Sequence, residues 1–206
     1  MIEQMKTSPL IPVLRKLPED KFLSVAEALI NGGVKYLEIT MDAEDAPKLI
    51  RMAKEHFGNR ASVGAGTVMS VEQARAAIEA GAEYLISPAL VEDVLTFAVE
   101  QGVPMIPGVY TPSEMVLAHT LGASGVKLFP AASLGSGFVK DVRGPLGHIP
   151  IIVTGGITVD TAVSYLDAGA VAVGAGSALL DKELIANGDW GGLSELTRTW
   201  VETLTR

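Results

Sequence analysis

Two hydrophobic periods alternate along the chain. Apolar residues three and four apart recur in 21–30 (KFLSVAEALI), 71–80 (VEQARAAIEA), 90–100 (LVEDVLTFAVE) and 111–120 (TPSEMVLAHT), which predicts amphipathic helices. Between such segments lie short apolar runs: 10–14 (LIPVL), 36–40 (YLEIT), 61–66 (ASVGAG), 84–88 (YLISP), 104–108 (PMIPG), 126–130 (VKLFP), 151–156 (IIVTGG) and 171–176 (VAVGAG). These eight runs have strand length and are rich in Val, Ile and Leu, as expected of parallel strands covered by helices on both faces.

The junctions repeat as well. A helical pattern ends at small residues and glycine and a strand follows at once, in NGGVKYLEIT, EAGAEYLIS, EQGVPMIPG, LGASGVKLFP and LDAGAVAVGAG. Glycine past each helix suits a left-handed C-cap. Thr111-Pro112-Ser113-Glu114 reads as an N-cap, an N1 proline and a first-turn acid. Eight strand–helix units in 206 residues predict an α/β fold, one small (β/α)8 TIM barrel occupying 1–206 as a single domain. The competing architecture is an open doubly wound sheet, but its G-x-G-x-x-G fingerprint is missing after the first strand.

Composition narrows the function classes. The chain is 48% hydrophobic and 19% charged, the balance of a compact core with a solvated surface. Cysteine is absent, which excludes disulfides, thiolate metal ligands and a cysteine nucleophile. A net charge of -8 argues against nucleic acid or an anionic membrane as partner, while leaving room for a local cationic pocket. The N-terminal MIEQMKTSPL lacks the basic and apolar regions of a signal peptide, and the apolar runs are too short to span a bilayer, so a cytoplasmic location is expected. His56, His119 and His148 are scattered without metal-ligand spacing, and no metal or cofactor is expected.

Barrel enzymes place their chemistry at the C-terminal ends of the strands. Lys127 stands near the end of the sixth predicted strand, inside GVKLFP, where an unpaired ammonium is costly. Glu38 is near the end of the second, with Thr40 on the same face two residues on. A shielded amine can attack a ketone to form a Schiff base, and a nearby carboxylate can move the protons. The bland alternatives are a lysine snorkelling to solvent and an internal Lys127–Glu38 ion pair without chemistry. Thr154-Gly155-Gly156 and Gly174-Ala175-Gly176-Ser177 close the seventh and eighth strands, where barrels commonly hold phosphate, although plain turns also use such glycines. Gly64-Ala65-Gly66-Thr67 brings a hydroxyl to the third strand end or simply caps a helix, and Pro88 and Pro107 are pocket walls or ordinary strand stops. Arg15, after the first strand, is the best-placed fixed cation for an anionic group.

The ordered set PVLR, GGVKYLEIT, VGAGTV, GAEYLISP, IPGVYTPSE, VKLFPA, TGGI and VGAGSAL resembles the KDPG/KHG aldolases over nearly the whole chain. The resemblance implies a metal-independent class I aldolase, a lyase, on a small barrel that assembles as a homotrimer. Its expected reaction cleaves 2-keto-3-deoxy-6-phosphogluconate into pyruvate and glyceraldehyde 3-phosphate, as in Entner–Doudoroff carbohydrate metabolism. Many relatives also split 4-hydroxy-2-oxoglutarate into pyruvate and glyoxylate. By motif, Lys127 is the Schiff-base lysine and Glu38 the general acid/base. Thr67 lies near the pyruvyl carboxylate, Phe129 and Pro88 shape the pocket, and Gly155, Gly156, Gly176 and Ser177 hold the phosphate beside Thr154. Some relatives carry an arginine four residues after the glutamate, where this chain has Asp42, and others carry one after the first strand, which matches Arg15. The alternatives in substrate and reaction are the galactonate epimer of the same sugar acid, an isomerase or epimerase in which Glu38 works without a covalent adduct, and a metabolite-binding barrel without turnover.

Overall fold

A computed structural model describes residues 1–205. Nine parallel strand segments form one sheet: β1 (Leu10–Leu14), β2 (Tyr36–Thr40), β3 (Ser62–Gly66), β4 (Leu85–Ile86), β5 (Met105–Ile106), β6 (Gly108–Val109), β7 (Val126–Leu128), β8 (Ile151–Thr154) and β9 (Ala172–Ala175). Their order is β5-β4-β3-β2-β1-β9-β8-β7-β6, and only Pro107 separates its two ends. The sheet is therefore a small (β/α)8 barrel whose fifth stave is broken. Pro107 has no N–H, so the stave cannot run on as a regular strand. Instead β5 pairs with β4 and β6 with β7, while the Pro107 carbonyl accepts from the Lys127 N–H at 2.8 Å.

Helices alternate with the staves: α1 (Ile2–Met5), α2 (Glu19–Asn31), α3 (Ala46–Phe57), α4 (Val71–Glu79), α5 (Glu92–Glu100), α6 (Pro112–Thr120), α7 (Gly135–Leu146), α8 (Val159–Asp167), α9 (Lys182–Asn187) and α10 (Trp190–Leu204). The start read at Thr111 is a full capping box, with Thr111 accepting from the Glu114 N–H and the Glu114 carboxylate accepting from the Thr111 N–H. Past α2 and α8 the chain turns on Gly33 (φ 107) and Gly169 (φ 103), in the left-handed region that glycine enters without a Cβ clash.

Two cores result. The larger lies between staves and helices, where Leu37, Ile39, Val63, Val126, Val153 and Val173 meet the apolar helix faces. The smaller fills the barrel itself with Ile11, Tyr36, Tyr84, Ile86, Ile106, Ile152 and Ala172, and includes Met5 of α1 with Met1 and Ile2 beside it. Tyr36 and Tyr84 meet edge to face with ring centroids 6.3 Å apart. The alternation of side chains along a strand then dictates what comes next. Two residues beyond Tyr36 is Glu38, and two beyond Ile152 is Thr154.

Candidate active site

Glu38 and Lys127 meet inside the barrel. Their strands are not neighbours, yet Lys127 Nζ lies 3.5 Å from Glu38 Oε1. Both are buried, at 1% and 3% exposure, so the lysine does not snorkel to solvent. Lys127 Nζ also stands 5.4 Å from the centroid of the Phe129 ring, within range of a cation–π contact. A buried amine held between a carboxylate and an aromatic face can exchange protons with the first and is screened from water by the second.

What places Glu38 is the absence of a side chain on β3. Glu38 is in register with Gly64, and its carboxylate lies over Gly66. A Cβ on Gly66 would come within 2.1 Å of Oε1 and 2.6 Å of Cγ. Gly64 makes the same concession to Tyr84, whose ring would meet its Cβ at 2.2 Å. The Tyr84 hydroxyl donates to the Leu37 carbonyl at 2.9 Å, which ties the residue before Glu38 to the core. Burial pushes the Tyr84 phenol well above its ordinary pKa, and the negative charge of Glu38 adds to the effect. Tyr84 is therefore a neutral donor and part of the support. Thr40 is also buried, and its hydroxyl donates to the Leu14 carbonyl at 3.4 Å.

The glycine-rich ends of β8 and β9 come together as expected. Thr154, Gly155, Gly156, Gly176 and Ser177 line one cavity of 320 Å³ with Val13, Arg15, Phe129 and Thr158. Gly155 (φ 96) and Gly156 (φ 73) both adopt left-handed backbone, and a Cβ on Gly156 would lie 2.6 Å from the Ala132 Cβ. Thr158 caps α8, accepting from the Thr161 N–H at 3.4 Å. Exposed backbone N–H groups next to a helix start suit an anion. A second cavity of 570 Å³ shares Val13, Arg15, Gly176 and Ser177. Its wall includes Lys16, Lys21 and Lys182 and no carboxylate.

Pro88 packs its backbone against Gly108, where a Cβ would fall 2.1 Å from the Pro88 carbonyl carbon. Gly108 is in turn the register partner of Lys127, so Pro88 borders the lysine stave rather than the glycine-lined cavity. Thr67 and Arg15 are joined directly, with Arg15 Nη2 donating to Thr67 Oγ1 at 3.1 Å. Arg15 Nη1 donates to Asp42 Oδ2 at 2.7 Å, and Lys16 Nζ lies 3.9 Å from the same oxygen. Burial opposes the charge on Asp42, but the nearby Thr40 hydroxyl and the Arg15 and Lys16 cations outweigh it and hold the carboxyl below its usual pKa. Asp42 was legible in the sequence only as the lack of an arginine. The signal for its real position was period two: Glu38, Thr40 and Asp42 are spaced as one face of a strand.

A sequence model of the family described as KDPG and KHG aldolase matches residues 1–196. The KHG/KDPG aldolase of Escherichia coli K12 is 36% identical over 200 residues, covering 96% of this chain and 93% of that protein. The 2-dehydro-3-deoxy-6-phosphogalactonate aldolase of the same organism is 31% identical, covering 83% of this chain and 84% of its own. Among solved structures, KDPG aldolase from Legionella pneumophila, with pyruvate captured as a covalent carbinolamine intermediate, superposes with a TM-score of 0.87. It is 31% identical, with 96% of each chain covered.

Proposed function

The chain belongs to the KDPG and KHG aldolase family and is a carbon–carbon lyase, and from that premise we propose a class I mechanism in which Lys127 is the nucleophile and Glu38 the proton carrier. The observation that carries the proposal is the 3.5 Å approach of two buried groups, an amine and a carboxylate, from non-adjacent staves. The substrate is 2-keto-3-deoxy-6-phosphogluconate, and 4-hydroxy-2-oxoglutarate is a second substrate of the same site.

Lys127 Nζ adds to the C2 ketone to form a carbinolamine, which loses water to give an iminium. Removal of the proton from the C4 hydroxyl lets the C3–C4 bond break. Its electron pair moves into the iminium to leave an enamine on Lys127, and glyceraldehyde 3-phosphate departs. Protonation of the enamine at C3 and hydrolysis of the resulting imine release pyruvate and restore the amine. Glu38 carries protons in the addition, cleavage and reprotonation steps, because it is the ionisable group placed against Nζ. Gly155, Gly156, Gly176 and Ser177, with the Thr154 hydroxyl nearby, receive the phosphate, a role supported by their shared cavity. Phe129 shields the imine from water, and Pro88 closes the wall beside the Lys127 stave. The family resemblance implies a homotrimer as the working assembly, and light scattering of the purified protein tests it.

The decisive experiment is intact mass after incubation with pyruvate and sodium borohydride, followed by peptide mapping. Reduction fixes one pyruvyl group per chain, on Lys127. An unmodified protein that still interconverts phosphosugars would overturn the covalent mechanism in favour of proton transfer by Glu38 alone. The phosphogalactonate aldolase among the relatives makes the C4 configuration the next question. Cleavage rates on the gluconate and galactonate epimers answer it, and the gluconate is expected to be the faster.

A further inference from the structure

Among the described residues, two that are not glycine have positive φ: Lys16 (φ 50) and Thr67 (φ 55). Such backbone is disfavoured for a residue with a Cβ and persists where the surroundings demand it. Both flank one object. Lys16 follows Arg15, and Thr67 accepts from the Arg15 guanidinium. The third partner, Asp42, lies just beyond β2, so the ends of β1, β2 and β3 all meet at this guanidinium.

The burial pattern is unlike that of an ordinary surface pair. Arg15 is 52% exposed, whereas Asp42 is 23% exposed and its Oδ1 is buried with no hydrogen-bond partner. The carboxylate is thus partly desolvated, and its other oxygen is the one that grips the arginine. Only two of the five N–H donors of the guanidinium are engaged by these side chains. Thr67 directly follows Gly66, over which the Glu38 carboxylate lies, while Arg15 also lines the glycine-rich cavity, so the guanidinium stands between the Glu38 stave ends and that cavity.

We propose that Asp42 is a positioning residue, which clasps Arg15 against Thr67 so that its free N–H groups meet the carboxylate of the keto acid bound at Lys127. The proposal rests on the aldolase reading. A half-exposed arginine otherwise samples many rotamers, and freezing it would be charged to binding. The clasp removes that cost before substrate arrives. It acts on affinity for the carboxylate, and leaves the bond-breaking step at Lys127 alone.

The test uses pyruvate, which carries the carboxylate and no phosphate. The concentration of pyruvate giving half-maximal borohydride labelling of Lys127 is measured for wild type, Asp42→Asn, Arg15→Ala and the double variant, alongside kcat and KM for cleavage. In Asp42→Asn the half-saturating concentration should rise about three- to tenfold, the size of one side chain's ordering cost, with kcat held. In the Arg15→Ala background the same change should have no further effect, and Asp42→Glu should recover affinity relative to Asp42→Asn. Equal half-saturation in wild type and Asp42→Asn, or an effect that persists without Arg15, overturns the clasp. So does a rise in KM confined to the phosphorylated substrate, since that would assign Arg15 to the phosphate. A wild-type protein that takes no label overturns the aldolase reading itself, which separates the two failures.

Discussion

Gly66→Ala isolates the placement of Glu38 from its chemistry, because it alters neither Glu38 nor Lys127. Gly66 has no left-handed φ, so alanine brings no backbone strain and only its methyl group matters. That methyl would lie 2.1 Å from Glu38 Oε1. Carbon–oxygen contacts close to about 3.3 Å, so the carboxylate must retreat by about 1.2 Å. The starting separation from Lys127 Nζ is 3.5 Å, so a shift of that size in any direction takes the pair out of its present geometry. A misplacement of about 1 Å at a reacting group can cost about 100-fold, and general acid/base catalysis as a whole is worth roughly 100- to 10,000-fold. The expected fall in kcat is therefore about 100-fold, or about 2.7 kcal/mol of barrier. Coupled assay of pyruvate release gives the rate, and urea unfolding gives the overpacking cost of about 1–3 kcal/mol. Borohydride labelling of Lys127 should still reach completion, more slowly than in wild type. Gly64→Ala on the same strand serves as the control, since its methyl meets the Tyr84 ring and not the carboxylate. A folded Gly66→Ala protein with wild-type kcat would refute the reasoning, for then the position of Glu38 does not limit turnover.

Other perturbations read other parts of the molecule. Glu38→Gln keeps the shape and removes the charge, and should lower kcat by about 100-fold or more while the protein remains folded by circular dichroism. Tyr84→Phe deletes the bond to the Leu37 carbonyl and should cost about 1 kcal/mol in urea unfolding, with little change in turnover. Hydrogen bonds from the Tyr110 N–H and from Thr111 depress the Glu114 pKa in the folded state. Its ionised form therefore stabilises the protein above the unfolded value of about 4.3, and that contribution is lost as pH falls through the depressed folded value. Wild type should exceed Glu114→Gln by about 0.5 kcal/mol at neutral pH, a small figure because the site is exposed, and the gap should close in acid.

The hydrophobic pattern made the strand ends legible because period two and glycine caps are local signals. The bounds of β1 and β2 match the apolar runs residue for residue. The apolar run 104–108 predicts one continuous stave, but Pro107 cannot donate to a neighbour, and the strand divides at that position. Candidate chemistry at Glu38 and Lys127 was readable from residue type and position along the strand. Their meeting followed only from the expected closure of a barrel, not from any local pattern, since they are 89 residues apart and come together because the sheet closes. The role of Gly66 was hidden for a related reason: a glycine's value here is the space it leaves to a side chain on another strand, and no local pattern records that. Asp42 and its partner Arg15 are 27 residues apart in the chain, so their pairing exists only in the fold.

The lysine-lined cavity beside the mouth has a consequence for how ligands arrive. The chain carries a net charge of -8, yet the cavity wall gathers Arg15, Lys16, Lys21 and Lys182, against which Asp42 sets a single carboxylate beside Arg15 and Lys16. A small anion diffusing toward the molecule is opposed by its net charge, and the local excess of cations at this cavity would attract it there. Such focusing turns a random search over the surface into a guided one, and its strength fades within a Debye length of about 8 Å at physiological salt. Encounter frequency should then fall as ionic strength rises while the steps after capture keep their pace.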